Sequence, residues 1–159
     1  MGRKSTKENK NIYQLSREAA GLSRDAAAEQ MEHVSSDRIE KIDGGNLPHP
    51  DEVLAMAACY KDPALCNYYC SHECPIGIKH VPEIKIKSLS QVTLEILASL
   101  NAMDKEKNRL VEIVADGRIS SLEIGDFKKI QAYLSEISMA IDSLELWMQK
   151  SVADGEIEE

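Results

Sequence analysis

Four thiols crowd one short stretch of this chain. Cys59, Cys66, Cys70 and Cys74 fall within sixteen residues, with His72 and His80 close by. Thiolates are soft ligands that suit zinc or an iron–sulfur cluster. The spacing restricts that chemistry. Cys66, Cys70 and Cys74 stand four residues apart, on one face of a helix. The outer two would lie roughly 12 Å apart along a straight axis. A zinc ion with bonds of about 2.3 Å to sulfur cannot reach both. A single site therefore needs a helix break near Cys74-Pro75, or two adjacent thiols joined by Cys59 from the preceding element. The Cys-x2-Cys spacing usual for zinc and clusters is absent. Three expectations stay open: zinc or an iron–sulfur cluster on Cys59, Cys66, Cys70 and Cys74, thiol redox sensing, or four small buried hydrophobes. His33, His49, His72 and His80 are scattered, and no nucleophile, base and orienting acid come together in the sequence. An enzyme is not expected.

The elements upstream carry more information. In the run Gly21 to Gly45, Gly21 suits a helix stop, because glycine takes the left-handed conformation without a Cβ clash. Ser23 suits an N-cap for a helix from Arg24, with Ala27, Ala28 and Met31 on one face. Glu32-His33-Val34 breaks the pattern. Ser35 then caps a second helix that turns Ile39 and Ile42 inward and ends at Gly44-Gly45. Before this pair, Ile12, Leu15 and Ala19 predict a first helix over Asn11 to Ala20. After it, Pro50 opens a fourth helix over Asp51 to Tyr60, with Val53, Leu54, Met56 and Ala57 as its apolar set. Asp62-Pro63 opens a fifth, which Cys74-Pro75-Ile76-Gly77 closes.

Gly21-Leu22-Ser23, Ala28, Val34-Ser35, Ile39, Ile42-Asp43 and Pro48 resemble the phage-repressor (Cro-like, Xre-type) helix-turn-helix family over about residues 11 to 60. The resemblance implies a five-helix, lambda-repressor-like domain that lays its third helix in the major groove of double-stranded DNA. It implies DNA contacts from Ser35, Ser36, Asp37, Arg38, Glu40 and Lys41 on that helix. Ser23 and Arg24 would meet phosphate at the start of the supporting helix. The turn is one residue longer than the family's usual one, and Arg24 stands where a glutamine is common. Asp37 and Glu40 are acidic where DNA approaches. A carboxylate can accept from cytosine N4, and it also repels phosphate.

The formal charge of the 159 residues is −8. Residues 1–60 carry eight Lys/Arg and ten Asp/Glu, a balance of −2, so most of the acidity lies further on. The helix-turn-helix segment still has no strong basic footprint. Aromatics at 4% disfavour a base-stacking surface. No apolar run is long enough to span a membrane. A cytoplasmic protein with reduced cysteines is expected.

The rest of the chain reads as follows. Residues 1–10 form a flexible basic N-terminus, with an arm along DNA as the functional alternative. Residues 11–77 form the helix-turn-helix domain including the cysteine-rich fifth helix, and 78–87 an extended linker. Residues 88–153 form a long antiparallel helical hairpin, and 154–159 an acidic tail. In the first hairpin helix Val92, Ile96, Leu100, Met103, Leu110 and Val114 mark one face. In the second, Phe127, Ile130, Leu134, Ile137, Ile141, Leu144 and Met148 step by three and four as a heptad seam. That seam is expected to pack inside the hairpin and to join a second copy as a homodimer. The whole predicts an all-α, DNA-binding transcriptional regulator. A protein adaptor with an acidic C-terminal partner surface, or a metal- or thiol-responsive regulator, stands beside it.

Overall fold

The structure is a computed structural model in which residues 9–157 are described. Among them it is all-helical, with eight α-helices, one π-helical turn and no strand. None of these helices is long and apolar enough to cross a membrane. The basic segment 1–8 and the last two residues of the acidic tail lie outside the described residues. Lys10 is described, and its ammonium pairs with Glu18 at 2.6 Å. Contacts divide the described residues into two compact units: one up to Ile84 together with Met148 onward, and Lys85–Trp147.

The first unit contains α1 (Ile12–Ala19), α2 (Arg24–Gln30), α3 (Ser36–Asp43), α4 (Pro50–Cys59), α5 (Ala64–Tyr68), the π turn (Tyr69–Glu73) and α6 (Gly77–His80). Local chemistry sets the starts. Asn11, Ser23 and Ser35 each accept the backbone N–H of the third residue of the helix that follows. Gly21 and Gly45 take positive φ after the helices they end. The core gathers Tyr13, Ala27, Met31, Val34, Ile39, Ile42, Val53, Met56, Tyr60 and Leu65 from α1 to α5.

Several expectations need correction. α1 buries Tyr13, Gln14, Ser16 and Arg17, whereas Leu15 and Ala19 face solvent. An ion pair made by Arg17 draws that polar face inward, so periodicity alone selected the wrong side. Leu54 of α4 is likewise exposed. The fifth helix is α-helical only to Tyr68. It then widens, and the Cys74 N–H donates to the Tyr69 carbonyl five residues back at 2.9 Å. The segment expected as an extended linker begins with α6. Its later part is held by Asn67, whose amide donates to the Pro82 carbonyl at 3.0 Å and accepts from the Ile84 N–H at 2.8 Å.

The second unit contains α7 (Leu89–Val114) and all of α8 (Ile124–Ala153) but its last turns. The Ser88 hydroxyl caps α7. Gly117 takes positive φ in the connection, where Glu123 accepts from the Ser120 N–H at 2.9 Å. Arg109 pairs with Asp126 at 2.8 Å, and Lys129 pairs with Glu106. Higher numbers on α8 thus meet lower numbers on α7, so the helices run antiparallel. The buried side of α7 is Val92, Ser99 and Ile113, with Leu100 and Val114 left exposed. On α8, Ile130 is buried and Phe127, Ile137 and Leu144 are half-buried, whereas Leu134, Ile141 and Met148 are about half exposed.

Candidate nucleic-acid interface

α3 is fixed by the residues it hides. Ile39 and Ile42 enter the core, and the buried Asp43 carboxylate receives two guanidinium groups. Arg17 donates to Asp43 Oδ2 at 2.6 Å and to the Leu22 carbonyl at 2.8 Å. Arg24 donates through Nε to the same oxygen at 2.8 Å and through Nη1 to Glu40 at 2.9 Å. α1, α2 and α3 are thereby locked around one carboxylate. A second lock joins α3 to α4. Arg38 donates in a fork to both Glu52 oxygens at 2.7 Å, and to the Leu47 carbonyl at 2.9 Å. Glu52 also accepts the His49 N–H at 2.7 Å. The Arg38 bond, burial opposing it, holds the Glu52 carboxyl below its ordinary range.

These locks engage two of the residues expected at DNA. Arg24 and Arg38 are occupied by carboxylates of their own fold, and their charge is neutralised there. Asp43 and Glu52 raise the pKa of Arg24 and Arg38 respectively. Ser36 is also engaged: its hydroxyl donates to Asp25 at 2.5 Å. Ser23 and Ser35 serve as caps, at 3.1 Å to the Ala26 N–H and 3.3 Å to the Arg38 N–H. Asp37, Glu40 and Lys41 remain exposed on the outer side of α3. Lys41 has no ion-pair partner among the described residues. Asp25, Glu29 and Glu32 on α2 and the turn after it, with Asp37 and Glu40 on α3, are exposed carboxylates of the same helix pair. Asp43, Glu52 and Arg17 were not read from the sequence as site residues. Glu52, three positions after the α4 N-cap, carried a signal as a capping-box acid. Asp43 enters the sequence reading only as a landmark of the resemblance, and its pairing with Arg17, twenty-six residues away, has no local signal.

The four cysteines are free and half-buried. The Cys59 sulfur lies 3.9 Å from the Ala27 carbonyl, and Cys74 accepts the Gly77 N–H at 3.4 Å. Burial raises the Cys59 thiol; burial first, then Cys70 and Asp62, raises Cys66. Among the described residues no three Cys, His, Asp or Glu side chains come together to hold a metal ion. Beside them the Tyr68 ring stacks on His72 at 4.5 Å, and the Tyr13 hydroxyl donates to Glu73 at 2.6 Å. The π turn is thus braced by side chains of α1 and α5.

The chain matches no family model, and neither the curated proteins nor the solved structures contain a match to it.

Proposed function

We propose that the chain is a sequence-specific DNA-binding transcriptional regulator that offers α3 to the major groove as the phage-repressor family does. One observation carries this: α3 is held from behind by Ile39, Ile42 and Asp43 while Asp37, Glu40 and Lys41 stand open to solvent. A short helix, capped at its start and packed against a partner helix, is the shape that brings a few side chains to base edges. Lys41 supplies the cation, the exposed acids select against unpaired acceptors, and the Ser23 end of α2 offers free N–H groups to phosphate. The test is retardation of genomic DNA fragments by the full chain across a salt series. Binding that weakens with salt is expected, and Lys41→Ala should change which fragment is preferred. Absence of retardation at the lowest salt overturns the proposal.

A second function, a protein adaptor on the same fold, is favoured by the charge on this surface. Arg24 and Arg38 are engaged internally, and residues 24–43 expose five carboxylates. Such a face suits a basic protein partner, and an adaptor gives no retardation at any salt.

A further inference from the structure

α7 leaves a second stripe outside the hairpin. Leu97, Leu100, Val111 and Val114 are each about half exposed or more, at 52%, 49%, 65% and 51%. Asp104 and Lys107 complete the stripe and pair with each other at 2.7 Å on the open surface. The six positions step by three and four, the rhythm of a coiled-coil seam.

The stripe reads the same from both ends. Turned end for end about a point between Lys105 and Glu106, Leu97 falls on Val114, Leu100 on Val111, and Asp104 on Lys107. An antiparallel coiled coil pairs positions in this way, and a two-fold interface requires that residue i meet j while j meets i. Four apolar residues and one charge pair all satisfy both conditions in a single register.

We propose that a second copy of this chain docks on α7, antiparallel, with Asp104 of each copy facing Lys107 of the other. The occupant is specified by charge. A random partner has no reason to match an acid and a base placed symmetrically about the centre of the stripe, whereas a second copy matches them automatically. The stripe covers roughly 26 Å of helix. On α7, Leu100 and Val114 lie across the helix from Arg109, the residue that pairs with Asp126 of α8. The pairing moves the dimer surface from the α8 heptad seam, half of which is turned into the hairpin, to α7. It does not depend on whether α3 reads DNA.

The test is a charge exchange in the full-length chain, followed by sedimentation at micromolar concentration. Asp104→Lys sets lysine against lysine twice in the symmetric pair, and Lys107→Asp sets aspartate against aspartate twice. Each variant alone should self-associate at least about tenfold more weakly than the parent. Mixed in equal amounts, the two should form a heterodimer of near-parental affinity, because both contacts become complementary. Both side chains are largely exposed, at 70% and 60%, so helical content by circular dichroism should not change. A monomeric parent, a single variant that dimerises as tightly as the parent, or two helical variants that fail to pair on mixing each overturn the proposal.

Discussion

Two carboxylates decide what the arginines of this surface can do. The Asp43 side chain is 3% exposed and sits against the Arg17 guanidinium, itself 7% exposed. Removing one partner of a buried pair strands the other charge, which costs about 3–5 kcal/mol. Asp43→Asn should therefore destabilise the first unit by that order in urea unfolding. Arg24→Gln should cost less than about 1 kcal/mol, because Arg24 is 35% exposed and water replaces its partner. Equal losses would mean that Arg24, not Arg17, is the partner Asp43 serves. Glu52 adds a dependence on pH. Its carboxyl is held below the ordinary value, first by Arg38 and then by the His49 N–H. Its contribution is complete above the ordinary carboxylate range and disappears as pH falls through the lowered value. The difference in melting temperature between parent and Glu52→Gln should shrink steadily from about pH 6 towards pH 3. A difference that is constant across this range would show that the fork to Arg38 adds nothing through its charge.

At the scale of elements, the sequence disclosed what repeats and hid what happens once. The caps Ser23 and Ser35, the inward Ile39 and Ile42, and the glycine stops follow local rules and were legible. The π turn needs one extra residue within a helix, and nothing in Tyr69–Glu73 announces it. The sequence predicts Gly77 as part of a helix stop. It does something else: a Cβ there would lie 2.1 Å from the Cys70 carbonyl oxygen. α6 and the π turn are in backbone contact at that point, and a backbone atom cannot step aside as a side chain can. Gly77→Ala should cost about 3 kcal/mol or more, beyond the usual loss from overpacking. Gly125→Ala, with open space around its Cβ, should be neutral or slightly stabilising. Thermal unfolding of the two variants side by side checks the contrast. The inward side of α7 departs from the predicted face for a related reason. Its apolar arc is wider than one partner can cover, so periodicity gave the arc but not the part that faces α8.

For the whole molecule the governing quantity is charge. The chain carries −8, and residues 24–43 alone expose five carboxylates. The candidate site was legible as a position but not as an electrostatic surface. Whether Arg24 and Arg38 are free depends on Asp43 and Glu52, which only the fold brings to them. If α3 enters a groove, the acids set the affinity ceiling and the salt response together. Each phosphate contact contributes a slope of about −0.9 to log affinity against log salt. With Lys41 as the one phosphate contact from α3, the slope is shallow. Replacing Asp37 with Asn and Glu40 with Gln removes two repulsions and frees Arg24 from its outer partner while Asp43 still holds it. That double variant should bind every fragment roughly tenfold more tightly at low salt, with the advantage fading as the Debye length contracts to about 8 Å at physiological ionic strength. An adaptor for a basic protein predicts the reverse, because the same two carboxylates would be its contacts. Parent and double variant binding DNA equally at low salt would show that phosphate does not pass near α3. The groove would then have to be met by another part of the chain.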